Sequence, residues 1–259
     1  MYHPKKRFGQ HFLHDRHVIG RIVAALAPRP DDHVVEIGPG KGALTRELAA
    51  HLAHFDAVEL DRDLLAHLPS IFPPDKLTLH GADALEYDFC QLVQKGRKLR
   101  LVGNLPYNIS TPLLFHLLDQ AHCIQDMLFM LQKEVVQRLA ASPGGKDYGR
   151  LSVMIQYRCR VEKLFDVAPG SFTPPPKVDS AMVRLVPLAT PPVAINDEAQ
   201  FARVVRAAFA SRRKTLRNNM KGLLSGDDMT ALGIDPIRRA ETLTLAEFAA
   251  LSNATSSAP

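Results

Sequence analysis

Along the chain, short unbroken apolar runs alternate with stretches in which apolar residues recur at helical spacing. Val18, Ile22 and Leu26 lie on one side of a predicted helix that ends at Pro28. Seven short segments are predicted as strands: residues 33–37, 56–60, 76–80, 99–103, 126–131, 161–165 and 179–187. Strands that alternate with helices predict an α/β fold around a parallel sheet with right-handed crossovers.

The first predicted strand leads into a glycine-rich loop. Gly38-Pro39-Gly40-Lys41-Gly42 precedes a helix, and Glu59 ends the next strand 21 residues after Gly38. Glycines are needed where a ligand approaches the backbone closely, and a carboxylate at that second strand end can accept hydrogen bonds from ribose hydroxyls. The spacing G-x-G-x-G differs from that of dinucleotide-binding proteins, and no P-loop Lys-Ser/Thr follows. We interpret the loop as a site for a nucleoside-type cofactor; a structural turn is the alternative.

Two later strand ends carry further polar side chains. Asp83 follows the strand at 76–80, on the same predicted edge of the sheet as the glycine loop, where its carboxylate can accept from an adenine amino group. A helix N-cap is the alternative for Asp83. The strand at 99–103 ends in Asn104-Leu105-Pro106-Tyr107, whose amide, rigid ring and flat aromatic face suit a planar amine-bearing ring. The alternative for this tetrapeptide is a turn that closes the strand.

Positive charge is concentrated near the end of the chain. The composition changes at residues 189–192, and helices are predicted over 197–210, 213–224 and 245–251. This pattern divides the chain into a large domain at 1–188, with a basic N-terminal arm, and a small all-helical domain at 189–259. Between Arg203 and Lys221 this domain carries seven cations with no acid among them: Arg203, Arg206, Arg212, Arg213, Lys214, Arg217 and Lys221. We interpret them as a phosphate-contacting surface; a solvated helix face is the alternative.

Composition excludes several classes of protein. Of 259 residues, 46% are hydrophobic, which supports a real core, and the net charge of +5 permits a nucleic-acid partner without requiring one. The chain lacks a secretory h-region and a run of 18 apolar residues, so we expect no membrane insertion and a cytoplasmic location. The three widely spaced cysteines predict neither a disulfide framework nor a zinc pattern. The histidines at i, i+3 spacing (His11, His14 and His17; His51 and His54) lack completing ligands, so no metal site is expected.

Several segments together resemble the KsgA/RsmA family of small-subunit (16S) ribosomal RNA adenine N6,N6-dimethyltransferases. The likeness extends from Lys6 to about Ala240. Its motifs are RFGQHFL at 7–13, EIGPG at 36–40, VELD at 58–61, NLPYNIS at 104–110, LQKEV at 131–135, FTPPPKVDS at 172–180 and RRKTLRN at 212–218. One departure is His11, where many members have Asn, so we expect a cofactor contact there from the backbone or from an imidazole nitrogen.

The resemblance implies a Rossmann-like class I methyltransferase with a seven-stranded, mostly parallel sheet and a small helical C-terminal domain. It also implies S-adenosylmethionine as the methyl donor. The residues that it assigns to the cofactor are His11 and Leu13 as a cover, Gly38 at the methionine part, Glu59 at the ribose, Asp83 at the adenine amine, and Asn104 where cofactor and target base meet.

We hypothesise that residues 104–107 carry the chemistry. The Asn104 amide oxygen and the Leu105 carbonyl would accept from the target amine, Pro106 would hold the geometry, and Tyr107 would stack on the base. Phe172 would form a second aromatic wall; a Phe packed within its loop is the alternative. The partner that the resemblance implies is small-subunit rRNA within the pre-30S particle, bound by a monomer. The side chains expected to contact this RNA are Arg212, Arg213, Lys214 and Arg217.

Three alternatives differ in function. The chain also resembles the large-subunit rRNA adenine methyltransferases that confer macrolide resistance, although the C-terminal match and the stretch at 172–178 favour the small subunit. A ribosome-assembly or transcription factor could keep the fold without turnover; the intact strand ends argue against that loss. A nicotinamide dehydrogenase would need a catalytic His or Tyr-Lys set that is not found, and the glycine spacing is wrong for it.

Overall fold

The computed structural model of the protein describes residues 10–94 and 96–256, so residues 5–9, where the predicted basic arm (5–13) begins, lie outside the described residues. The chain divides into two compact units. The first unit takes the chain up to Val136 together with Glu162–Pro187, and the second takes Gln137–Val161 together with the chain from Leu188. This differs from the predicted division at residue 188, because the segment 137–161 belongs to the second unit.

The first unit is built on a seven-stranded sheet, and a second sheet has two strands. The nine strands of the described residues, in chain order, are β1 (Phe12–Leu13), β2 (Val34–Ile37), β3 (Phe55–Glu59), β4 (Leu77–Gly81), β5 (Leu99–Asn104), β6 (Ile124–Gln132), β7 (Cys159–Val167), β8 (Phe172–Thr173) and β9 (Ser180–Pro187). The large sheet has the order β4-β3-β2-β5-β6-β9-β7; the pairs from β4 to β6 are parallel, and β9 is antiparallel to β6. The predicted mostly parallel sheet is confirmed, and the strand order reverses between β2 and β5, where α/β folds bind ligands.

The helices of the first unit connect its strands. They are α1 (Arg16–Leu26), α2 (Ala43–His51), α3 (Arg62–His67) and α4 (Ser110–Asp119), followed by α5 (Lys133–Ala140), which begins in the first unit and continues into the second. Asp15 caps α1, since its side chain accepts from the backbone N–H groups of His17 and Val18. One buried cluster joins α1 and α2 to the sheet through residues such as Ile22, Leu48 and Val102. Burial of these side chains provides the main stabilisation of the unit.

A second, two-stranded sheet fixes the segment before α1. β1 pairs antiparallel with β8, with Leu13 opposite Phe172, and the backbone N–H of His14 donates to the carbonyl of Ser171 at 3.0 Å. The sequence did not predict this pair, because two residues are too short to show a hydrophobic period. The pairing brings residues 10–13 to the carboxyl ends of the large sheet.

The second unit is largely helical. Its helices are α6 (Arg150–Arg158), α7 (Glu198–Ala208), α8 (Leu216–Asn219), α9 (Gly226–Ala231) and α10 (Leu245–Ser256). The helix predicted over 213–224 is confined to α8, since Thr215 is an extended N-cap and Gly222 has a φ of +86°. Val153 and Tyr157 of α6 are buried in one cluster with Phe201 of α7, which explains why 137–161 belongs to this unit.

The cysteines correct one expectation from the sequence. Cys90 and Cys123, 33 positions apart, are joined by a disulfide bond, whereas Cys159 is a buried free thiol. Spacing did not reveal this pair because a short 3₁₀ turn at Phe89–Leu92 and another at Ala121–Cys123 meet only in the fold. Among the described residues, no helix has the length and apolar character needed to cross a bilayer.

Candidate active site

A cavity of about 270 Å³ opens at the carboxyl ends of β2, β3 and β5 in the first unit. It is lined by residues 10–13, 36–41, 43–44, 58–60, 82–84 and 103–109, together with Ile22 and Met182. The four strand ends singled out from the sequence therefore converge here: the glycine loop, Glu59, Asp83 and the segment 104–107. These positions meet because neighbouring parallel strands end at the same edge of the sheet.

The glycine loop has a backbone that favours glycine. Gly38 and Gly40 have φ values of +70° and +57°, and a Cβ placed on Gly38 would meet nothing within 4 Å. A Cβ on Gly40 would instead lie 3.1 Å from the ring of Phe12, which covers the loop from β1. Open space therefore stands beside Gly38, while Gly40 allows the β1 segment to pack closely.

Glu59 is held by the backbone of the loops around it. Its Oε1 accepts from the N–H groups of Leu60 and Asp61, both at 2.9 Å, and its Oε2 accepts from the N–H of Gly40 at 3.2 Å. Burial raises the pKa of this carboxyl, and the three N–H donors act against that increase. A carboxylate has about four acceptor positions, so one is left for a hydroxyl of a ligand.

Glu36 is a carboxyl group that the sequence analysis did not single out as a site residue. It lies on β2, is 2% exposed and borders the cavity. Burial raises its pKa to about 8, with the nearby charge of Glu59 acting in the same direction and the Thr45 hydroxyl acting against it. Glu36 is therefore mostly protonated at pH 7 and adds no full charge to the cavity wall.

Asp83 does not cap a helix, because no helix begins directly after it in the described part of the chain. Its Oδ1 accepts from the backbone N–H of Leu85 at 2.9 Å, a bond that stabilises the turn after β4. The residue also borders the cavity, next to Ala82 and Ala84. The local bond fixes the carboxylate at the end of β4, at the position expected for contact with an adenine amine.

The amide of Asn104 is oriented by the β1 segment. Its Nδ2 donates to the backbone carbonyl of His11 at 2.8 Å, so its Oδ1 is the atom left to accept from another donor. Leu105 is buried, and its N–H donates to the carbonyl of Met130 on β6 at 3.2 Å. The carbonyl of Pro106 accepts from Ile109 N–H, which closes the turn into α4. The tetrapeptide is thus both a turn and part of the cavity wall.

Tyr107 is half-buried, and both ends of its side chain have neighbours. Its hydroxyl is 2.6 Å from the Ser180 hydroxyl, and burial raises the pKa of the phenol. Its ring is stacked with the ring of His11 at a centroid distance of 5.8 Å. His11 in turn has its Nδ1 2.7 Å from the carbonyl of Pro174. The backbone of His11 meets Asn104 and its ring meets Tyr107, a role that the sequence did not reveal.

The structure does not support Phe172 as a second stacking wall. Its side chain is 2% exposed and belongs to the buried cluster under α1, together with Leu13, the residue opposite it in β1. A ring enclosed on both faces has no surface for a base. Leu13 remains both a core residue and a cavity residue.

The seven cations predicted to form the RNA surface are exposed but do not all have the same surroundings. Arg213, Lys214 and Arg217 form no ion pair within the described part of the chain. Arg212 differs, because its guanidinium donates to the carbonyl of Lys146 at 2.6 Å and therefore holds a neighbouring loop. Residues 212–217 therefore carry four cations of the predicted RNA surface. Of these, Arg212 is the one whose side chain is hydrogen-bonded to a backbone carbonyl among the described residues.

The family described as "Ribosomal RNA adenine dimethylase" matches residues 1–256. The chain belongs to the ribosomal RNA adenine dimethylase family. A relative from Laribacter hongkongensis, named Ribosomal RNA small subunit methyltransferase A, is 60% identical over 96% of this chain and 95% of its own; a Pseudomonas aeruginosa relative of the same name is 58% identical over 96% and 93%. The predicted enzyme class is confirmed: the protein is an S-adenosylmethionine-dependent rRNA adenine dimethyltransferase.

Solved structures agree with this family. A dimethyladenosine transferase from Plasmodium falciparum superposes with a TM-score of 0.77 at 25% identity, over 93% of this chain and 96% of its own. The 23S rRNA methyltransferase ErmE superposes with a TM-score of 0.72 at 26% identity, over 95% and 99%. Both similarities extend over nearly the whole chain, so the predicted class I methyltransferase fold is confirmed.

The cavity fits S-adenosylmethionine by its own chemistry. Open space beside Gly38 allows close approach to the backbone, and Glu59 keeps an acceptor position for a ribose hydroxyl. Asp83 stands at the next strand end, and the rings of Phe12 and His11 border the cavity on the β1 side. These residues would hold the cofactor. The sequence had singled out all of them except Phe12, whose closeness to Gly40 depends on the β1–β8 pair.

Proposed function

We propose that the enzyme dimethylates N6 of two adjacent adenosines in the 3′-terminal hairpin loop of small-subunit rRNA. It would act as a monomer on the pre-30S particle, late in small-subunit biogenesis and in the cytoplasm. Support for the small subunit comes from the near-full-length identity of 60% and 58% to relatives named small subunit methyltransferases. The large-subunit alternative has weaker support, from the 26% identity to ErmE.

The orientation of Asn104 carries the proposed chemistry. The N6 lone pair of adenine is delocalised into the ring and is a weak nucleophile. Because Nδ2 is engaged with the His11 carbonyl, Oδ1 can accept a hydrogen bond from the amine and draw its lone pair out of conjugation. The Leu105 carbonyl would accept from the same amine, and Pro106 would keep the two acceptors in register.

S-adenosylmethionine, when bound, supplies a methyl group that the positive sulfur already activates. The remaining task of the protein is to hold the amine in line at close range, which is a matter of proximity and orientation rather than of a strong base. Tyr107 contributes by stacking on the extruded base, a contact worth about 1–3 kcal/mol. Its hydroxyl bond to Ser180 fixes the ring before the base arrives.

Methyl transfer to defined particles tests the substrate. Labelled S-adenosylmethionine is incubated with immature small subunits, with free small-subunit rRNA and with large subunits, and label at N6 is located by nuclease digestion. We expect two methyl groups on each of two adjacent adenosines, and only with the immature small subunit. Label on large subunits would contradict the proposal and favour the alternative; an absence of label on all three would favour a catalytically silent assembly factor.

Replacement of Asn104 by Ala tests the mechanism. Loss of an oriented acceptor in a transition state costs about 10²–10³-fold in rate, whereas loss of its bond to His11 weakens cofactor binding by only about 0.5–1.5 kcal/mol. We expect turnover to collapse while calorimetry still detects S-adenosylmethionine binding. Asn196→Ala, at an exposed position in the second unit, is the matched control. Turnover within tenfold of wild type in Asn104→Ala would refute the assignment.

A further inference from the structure

Outside the cavity, one group of metal-ligating side chains has no part in methyl transfer. Cys90, His122 and Cys123 offer two sulfurs and an imidazole nitrogen that all lie within 4.8 Å of one another. The Nε2 of His122 is 3.4 Å from the Sγ of Cys90, and the two cysteines form the disulfide described above. Cys123 immediately precedes β6, so the group lies at the amino edge of the sheet, opposite the cavity.

Both cysteines are held by neighbours other than the disulfide. The Gln120 side chain accepts from Phe89 N–H at 2.6 Å and donates to the carbonyl of Tyr87, which anchors the turn that carries Cys90. Asp88 caps the same turn through the N–H of Cys90. Cys123 N–H donates to the Gln120 carbonyl at 3.1 Å. The backbone around the cysteines is therefore held by hydrogen bonds that do not involve the disulfide.

We propose that the reduced pair, together with His122, binds one zinc ion. A dithiol reductant transfers two electrons and two protons to the disulfide, so that the S–S bond breaks, two thiols form and the reductant becomes a disulfide. Zinc then displaces both thiol protons and forms two Zn–S bonds of about 2.3 Å and one Zn–N bond of about 2.0 Å, with a water molecule as fourth ligand. Two thiolates and an imidazole are ligands that zinc prefers over magnesium or calcium.

The exposure of the three residues supports exchange between the disulfide-bonded form and the reduced form that binds zinc. Cys123 is buried, Cys90 is half-buried and His122 is exposed, so reductant and metal can reach the group from one side. A compartment that reduces disulfides would hold the dithiol form, which is the form that binds metal. Because metal and protons compete for the same sulfur and nitrogen atoms, affinity should fall as the pH is lowered.

Cobalt is a spectroscopic probe for this site. The full chain is reduced anaerobically with a phosphine, which takes an oxygen from water as it is oxidised, and is then desalted and titrated with Co²⁺ and afterwards with Zn²⁺. We expect one Co²⁺ per chain, with a thiolate-to-cobalt absorption that Zn²⁺ abolishes. The untreated, disulfide-bonded chain should show no such absorption.

Variants test the ligand set. Cys90→Ser and His122→Gln should weaken cobalt binding by at least about tenfold, because loss of a ligand should cost no less than loss of its outer-shell partner. Cys159→Ser and His51→Gln, which alter a free cysteine and an exposed histidine elsewhere, should bind like wild type. Circular dichroism establishes that each variant is folded. Absence of thiolate absorption in the reduced wild type, or wild-type affinity in folded His122→Gln, would overturn the proposal.

Discussion

Glu36 should make the protein less stable as the pH rises. Its folded-state pKa of about 8 lies above the usual value of 4.5. Between these values the unfolded chain releases a proton that the folded chain keeps, so the free energy of unfolding decreases with increasing pH. Glu36 does not lower the free energy of unfolding below pH 4.5, and its destabilising effect reaches its full size above pH 8.

The magnitude follows from the two pKa values. One pKa unit corresponds to about 1.4 kcal/mol, so the destabilisation grows from about 1 kcal/mol at pH 5 to about 4 kcal/mol at pH 8. Replacement of Glu36 by Gln removes the ionisation while keeping the size of the side chain. A buried amide without a full set of partners costs about 1–3 kcal/mol. This cost is the same at every pH, so it lowers the free energy of unfolding without changing how that free energy depends on pH.

Urea unfolding between pH 5 and pH 8 measures this effect. From pH 5 to pH 8, we expect the free energy of unfolding of wild type to fall by about 3 kcal/mol more than that of Glu36→Gln. Glu47→Gln is the matched control, since Glu47 is exposed on α2, and its curve should run parallel to that of wild type. Parallel curves for wild type and Glu36→Gln would show that Glu36 ionises normally and would refute the reasoning.

Three further changes test the site and the RNA surface. Tyr107→Phe keeps the ring and should retain most of kcat/KM, whereas Tyr107→Ala should lose about 5–150-fold in transfer to immature small subunits; equal losses would contradict stacking. Gly103→Ala should lower the free energy of unfolding by about 1–3 kcal/mol or more, because its Cβ would lie 2.4 Å from a carbonyl oxygen of β2; an unchanged urea midpoint would contradict this. Replacing Arg213, Lys214 and Arg217 together with Gln should reduce the slope of log K for rRNA binding against log salt by about 2, at about 0.7 per phosphate contact; an unchanged slope would remove these cations from the interface.

Local pattern determined most of the sheet and the strand ends that carry the site. The predicted boundaries of the seven strands agreed with the observed ones to within two residues. Gly38, Glu59, Asp83 and Asn104 could be singled out because parallel strands present their carboxyl ends at one edge, so position in sequence implies position in space.

Tertiary structure decided what depends on contacts between distant segments. The β1–β8 pair turned the ring of Phe172 into the core and placed His11 beside Tyr107 and Asn104, an arrangement without a periodic signal in two-residue strands. Likewise, the segment 137–161 joined the second unit because the cluster that contains Phe201 buries its apolar face.

The chemistry of the cysteines and of Glu36 also depends on contacts between distant segments, which the sequence does not show. Cys90 and Cys123 are 33 positions apart, and only the packing of two 3₁₀ turns brings them together with His122. In the sequence, Glu36 is simply a residue of the glycine-loop motif. Its protonation depends on how completely the folded chain buries it away from water. The sequence by itself determined which residues stand at the strand ends. Folding decided their ionisation, their pairing and which faces remain open to a ligand, because these properties depend on neighbours far away in the chain.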